Sequence, residues 1–221
     1  MRPQFSSVFF DLDGTLADTA PDLAAAANKM LIDRHMPPLP MQVMRHLASS
    51  GARGMIDAAF GIGQDDPQFN DLKEEFLSNY EQAIHVYTAL FPGMDALLNL
   101  LDEQMVPWGI VTNKHERFTL PLVKSLGLDL RTNAIVSGDT TPFAKPHPAP
   151  ILLAVSQKQV QASNSVYIGD DLRDVQAGKA AGMKTIAAAY GYCGDHQPPE
   201  SWEADFIVYE PKDLTSILFI Q

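Results

Sequence analysis

Two kinds of apolar pattern alternate along the chain. Short, mainly apolar runs fall at Val8-Phe9-Phe10, within 106–113, and at 134–138, 165–168 and 184–189, with 206–208 as a further edge run. Runs of that length, not alternating with polar residues, predict buried parallel strands. Between them, good helix formers or apolar residues at helical spacing predict helices over 22–34, 42–48, 55–60, 69–85, 94–104, 116–125, 150–157 and 175–181. The punctuation agrees. Pro37, Pro38 and Pro40 break the first helix, and Gly127 and Gly182 close two later ones. Asp18-Thr19-Ala20-Pro21 reads as a cap followed by proline in the first turn. Residues 49–54, SSGARG, read as a small-residue turn carrying one arginine, and 191–203 as a hydrophilic turn region.

Strands alternating with helices predict an α/β fold with a doubly wound, Rossmann-like parallel sheet. The first crossover is too long for that scheme, since one helix suffices to join two parallel strands. The excess predicts an inserted α-helical cap over 19–87, on a catalytic core formed by 1–18 and 88–221. Phe69, Leu72, Phe76 and Tyr80 form a helical stripe expected to be core. A cap at this point emerges beside the strand ends, where it would exclude water and select substrates.

The chemistry is also placed by the pattern. Asp11 and Asp13 follow the first strand, and Gly14 lets the backbone turn away. Open α/β sheets carry their ligands at the carboxyl ends of strands. The later strands end in Thr112-Asn113, in a loop carrying Lys145, and in Asp170-Asp171-Leu172-Arg173-Asp174. One edge of the sheet would thus gather a nucleophile, a cation and several acids, which is the equipment of phosphoryl transfer. Asp11 would attack phosphorus, and Asp13 would act as acid and then as base. Thr112 and nearby amides would bind phosphoryl oxygens, and Lys145 would hold the phosphate or Asp11. Mg²⁺, a hard cation, would relieve the repulsion between carboxylates, with Asp11, Asp13, Asp170 and Asp174 as its candidate ligands and Asp171 as alternative support.

Composition narrows the partners. The 221 residues carry a net charge of −11, which argues against nucleic acid or an anionic membrane surface, though not against a small phosphorylated metabolite. The single cysteine, Cys193, excludes an intramolecular disulfide and fits a reducing compartment. The residues before the first strand show no apolar signal-peptide core, and no stretch reads as a membrane span, so a cytoplasmic location is expected, as a monomer or homodimer.

The motifs together resemble the haloacid dehalogenase superfamily of phosphatases. Asp11-Leu12-Asp13-Gly14-Thr15-Leu16 is similar to its first motif, Thr112 to its second, Lys145 to its third, and Gly169-Asp170-Asp171-Leu172-Arg173-Asp174 to its fourth. The resemblance covers nearly the whole chain, in the family's order. It implies a Mg²⁺-dependent phosphomonoesterase working through an aspartyl-phosphate, with the Asp13 backbone carbonyl also on the metal. It also implies that Asp171 stands where the family usually has serine. Within the family the chain resembles the phosphoglycolate phosphatase-like branch. Ser50-Gly51-Ala52-Arg53, Val111-Thr112-Asn113-Lys114 and Tyr190-Gly191-Tyr192 are similar to phosphatases of N-acetylmuramic acid 6-phosphate. Gly14, Asn113, Ser50, Gly51 and Arg53 complete the candidate substrate-binding set, Arg53 as partner for a substrate carboxylate or as a solvated turn residue. His115 is either a substrate-facing group or an exposed helix start. The alternatives are a 2-phosphoglycolate phosphatase or a phosphosugar mutase on the same scaffold. A phospho-receiver domain is opposed by Asp13, by the helical insertion and by the length, and a dehalogenase by Asp13.

Overall fold

Residues 2–194 and 197–220 are described by the computed structural model. The first half runs β1 (Arg2–Pro3), β2 (Ser7–Phe10), β3 (Ala17–Asp18), α1 (Ala20–Asp33), α2 (Met41–Met44), α3 (Gly51–Phe60), α4 (Phe69–Gln82) and β4 (Ala89–Leu90). Then come α5 (Met94–Glu103), β5 (Trp108–Val111), α6 (Glu116–Ser125), β6 (Ile135–Val136), α7 (Ala149–Lys158) and β7 (Ser165–Gly169). The last part holds α8 (Leu172–Ala180), β8 (Lys184–Ala188), β9 (Phe206–Val208), α9 (Leu214–Leu218) and β10 (Phe219–Ile220).

Six strands pair in parallel in the order β6-β5-β2-β7-β8-β9, as the doubly wound expectation requires. β2, β5 and β7 are buried along their whole length, which is why they read as apolar runs without alternation. Their two serines satisfy each other: the Ser7 and Ser165 hydroxyls lie 2.6 Å apart across adjacent strands. Phe10 meets Trp108 edge to face at 6.3 Å. The chain leaves β2 toward β5 and later returns to β7 on the other side. The β2–β7 boundary is therefore the switch point, where such sheets open a crevice.

Between β3 and β4, α1 packs against α3 and α4, and Phe76 and Tyr80 stack at 6.4 Å on the expected stripe. Arg34 clamps Glu75 with two hydrogen bonds of 2.7 and 2.6 Å. Two features of the connection escape sequence reading. β3 and β4 pair antiparallel, so the chain's exit from the sheet and its return lie side by side. Asp22, buried on the first turn of α1, accepts from the amides of Val86, Tyr87 and Thr88 and from the Thr88 hydroxyl, at 2.7–3.1 Å. One carboxylate thus binds the return passage to the helix that follows the exit.

Residues 49–54 are not a turn. A 3₁₀ helix, His46–Ser50, runs directly into α3 at Gly51. The small residues serve packing: a Cβ on Gly54 would come within 2.7 Å of the Leu47 carbonyl oxygen. Helix 69–85 stops at Gln82, helix 42–48 stops at Met44, helix 55–60 begins at Gly51, and other ends move by at most three residues. β1 pairs with β10 near the two ends of the chain. Of the expected turn region 191–203, residues 195–196 lie outside the described residues. Among the described residues no helix is long and apolar enough to cross a membrane.

Candidate active site

Three buried carboxylates, Asp11, Asp170 and Asp174, bring ligand oxygens within 4.8 Å of one another at the β2–β7 switch point. Asp11 follows β2, and its Oδ1 accepts from the Leu12 amide at 2.7 Å and from Lys145 Nζ at 2.9 Å. Both contacts fall on one oxygen, which leaves Oδ2 for other work. Asp170 follows β7 and among the described residues receives only neutral donors, Thr15 Oγ1 at 3.0 Å and the Tyr192 amide at 2.8 Å. Gly14, with φ 76°, passes so close that a Cβ there would lie 2.1 Å from Asp170 Oδ2. Burial, reinforced by Asp11 and Asp174, pushes the Asp170 carboxyl well above the usual carboxylate range. Burial likewise pushes Asp174 up to about 7, against the pull of Lys145. Three buried acids opposed by one lysine, which does not reach Asp170, form an all-oxygen donor set that fits a hard divalent cation.

Lys145 is almost wholly buried and belongs to this cluster. Its ammonium contacts Asp11, Asp174 at 2.7 Å, the Val111 carbonyl at 2.9 Å and the Tyr167 hydroxyl at 2.9 Å. Burial alone would lower its pKa; the two carboxylates outweigh that and hold it well above the ordinary value. Tyr167 was missed from the sequence. A buried tyrosine in a core strand needs a partner for its hydroxyl, and that need is the available signal. Asn113 grips the Lys145 backbone with both ends of its amide, at 2.9 Å each. Its side chain is thereby committed to positioning Lys145. The Thr112 hydroxyl accepts from the Lys114 amide at 3.1 Å, and its own hydrogen remains to be given.

Asp13 stands apart from the trio. Its Oδ1 accepts from the Thr19 hydroxyl and from Lys114 Nζ at 2.8 Å, which leaves Oδ2 unengaged among the described residues. The Lys114 ammonium lies 4.9 Å over the Tyr80 ring. Burial opposes its charge, but Asp13 outweighs burial and raises its pKa. Lys114 received no role from the sequence beyond its place beside Asn113, and Thr19 only that of a helix cap. Asp171 caps α8: its side chain accepts from the Arg173 amide at 2.9 Å, while Asp174 Oδ2 accepts from the Asp171 amide at 3.1 Å. The Asp171 carboxylate also pairs with the Arg173 guanidinium, which outweighs burial and holds its pKa below the usual range. Arg173 in turn donates to the Ser49 carbonyl at 2.9 Å, bridging to the helical segment.

Asp11, Asp13, Thr112, Asn113 and Lys145 open with Ser50, Gly51 and Arg53 into one cavity of about 530 Å³. Gly14 is not on its wall but beneath Asp170. One wall is apolar, formed by Leu23, Phe69, Phe76, Leu77, Tyr80 and Phe118. His115 also reaches the cavity, as an exposed residue 3.3 Å from Asp139.

The profile of the family described as haloacid dehalogenase-like hydrolase matches residues 8–188. An N-acetylmuramic acid 6-phosphate phosphatase of Pseudomonas aeruginosa is 41% identical over 98% of this chain and 96% of its own length. A phosphoglycolate phosphatase of Xanthomonas campestris pv. campestris is 40% identical, over 94% of each chain. The crystal structure of a predicted phosphoglycolate phosphatase from Haemophilus somnus superposes with a TM-score of 0.83 at 26% identity, covering 97% of this chain and 98% of that one.

Proposed function

The chain belongs to the haloacid dehalogenase-like hydrolase family and is a phosphatase; from that premise we propose that it hydrolyses a phosphorylated sugar acid, N-acetylmuramate 6-phosphate, with Mg²⁺ and through a phosphoryl group carried on Asp11. The observation that carries the chemistry is the division of labour on Asp11. Lys145 and an amide fix one oxygen, and the other is unengaged among the described residues, beside two further buried acids. That oxygen would attack phosphorus, and the ester P–O bond would break. The leaving alkoxide would take its proton from Asp13. Water would then attack phosphorus, giving its proton to Asp13, and the bond to Asp11 would break to release inorganic phosphate. Thr112 would donate to a phosphoryl oxygen. Asp11, Asp170 and Asp174 would hold the Mg²⁺, with the Asp13 carbonyl as the expected fourth protein ligand. When bound, the ion would neutralise charge on the phosphoryl oxygens and on the acidic cluster.

The substrate reading rests on the cavity. Residues 19–87 would act as a cap whose apolar wall needs something to cover it. A sugar ring with an acetamido group offers such a face, whereas 2-phosphoglycolate is two carbons between two charged ends. Arg53 and Lys73, which line the cavity with no carboxylate partner among the described residues, suit a substrate carboxylate. The name of the Xanthomonas relative favours 2-phosphoglycolate as the second reading. Phosphate release from the two compounds, each with Mg²⁺ and with EDTA, tests the choice. The sugar should win by at least about 100-fold in kcat/KM, roughly 2.7 kcal/mol of differential transition-state binding. An equal preference for 2-phosphoglycolate overturns the substrate assignment.

A further inference from the structure

Thr19 occupies the N-cap of α1, where a threonine hydroxyl ordinarily accepts from the helix's own amides. Here the hydroxyl donates to Asp13, and α1 has no side-chain cap of its own. The first amides of the helix start, those of Thr19 and Ala20, are met from far along the chain. The Tyr192 hydroxyl accepts from the Thr19 amide at 2.7 Å and from the Ala20 amide at 2.8 Å, and donates to Asp18 Oδ1 at 3.1 Å. Its one hydrogen and both lone pairs are thereby used. The same residue's amide holds Asp170 Oδ2 at 2.8 Å. The ring is 4% exposed, and the Arg45 guanidinium, paired with Asp18 at 2.9 Å, lies 5.5 Å from its centre.

We propose that Tyr192 is a positioning residue. By holding the Thr19 and Ala20 amides and lying 3.4 Å from the Thr19 hydroxyl, its hydroxyl fixes the side chain that donates to Asp13. One residue thus sets the acid–base carboxyl, a member of the acidic trio and the start of the helical segment against one another. The consequence for turnover rests on the role given to Asp13 above; the capping does not.

Tyr192→Phe removes the hydroxyl and keeps the buried ring. Thr19→Val removes the bond to Asp13 and keeps the amide that Tyr192 caps. Both variants and the double variant are to be assayed as full chains on phenyl phosphate with Mg²⁺, beside hydrogen exchange of residues 16–23 in the metal-free protein. Each single change should lower kcat about tenfold with KM within about twofold, and the double variant should lose no more than the worse single one. Exchange should quicken in Tyr192→Phe and not in Thr19→Val. Losses that multiply would mean Tyr192 does not act through Thr19, and unchanged kcat or unchanged exchange in Tyr192→Phe would equally overturn the proposal. Should the wild type release no phosphate, the reading of Asp13 fails, while the exchange contrast still decides the cap.

Discussion

At the scale of single residues, the site depends on which oxygen of each carboxylate is occupied. Among the described residues Asp11 and Asp13 each have one oxygen tied and one unengaged, so two chemically identical groups are given different neighbours and different work. Asp13→Asn should lower kcat on an alkyl phosphate by about 10²–10⁴-fold, because neither proton transfer then has its carrier. Steady-state kinetics measure this, and an unchanged kcat would remove Asp13 from the acid–base role. Asp11, Asp13, Lys145 and Asp170 were legible because each follows a strand, and the sheet brings strand ends together whatever the loops do. Tyr167 was not legible, and Tyr192 only as part of a resembling segment without a role, since their partners lie 56 and 173 residues away. Asn113 was legible as a site residue, although its amide turns out to grip the Lys145 backbone.

At the scale of elements, apolar periodicity found the six strands of the sheet and most helices, because burial on both faces or on one stripe leaves that mark. It missed β3 and β4, which are too short to show a period and exist because the two passages pair. It read 49–54 as a turn because small residues serve turns and close helix packing alike. The Asp22 clamp joins these elements, and nothing in the sequence distinguishes Asp22 from any acid in a first helical turn. Asp22→Ala would strand the two buried donors of Thr88 and release the partly buried amides of Val86 and Tyr87. It should destabilise the protein by at least about 2 kcal/mol in urea denaturation and quicken proteolysis near residues 83–88. A loss under about 0.5 kcal/mol would mean that the clamp contributes little.

For the whole molecule, the site is a store of unfavourable charge that the fold supports. The raised carboxyls retain protons that the unfolded chain gives up near pH 3.9. Between that value and about 7, the folded state binds more protons than the unfolded one. The metal-free protein should therefore lose stability as pH rises through this window. A cation held by Asp11, Asp170 and Asp174 compensates that charge, so Mg²⁺ should raise Tm more at pH 8 than at pH 5. An equal increment at both values would contradict the placement of the ion. The proposed cap is held against the core by contacts of another kind. The Arg117–Glu81 ion pair is exposed, and exposed ion pairs contribute up to about 1 kcal/mol; the Arg173 hydrogen bond to the Ser49 carbonyl is partly buried. The Tyr80 ring also meets Phe118 at 5.7 Å across this boundary, so the proposed cap shares buried apolar contact with the core as well.

The most direct test of the account is to trap the phosphoryl group. With p-nitrophenyl phosphate, whose leaving group needs little protonation, Asp13→Asn should form the adduct and then fail to hydrolyse it. Acid quench and peptide mass spectrometry should find an acyl phosphate on Asp11 in the presence of Mg²⁺. It should be absent in EDTA and in the Asp11→Asn variant. Phosphate turnover by Asp11→Asn, or an adduct on any other residue, would contradict the central claim.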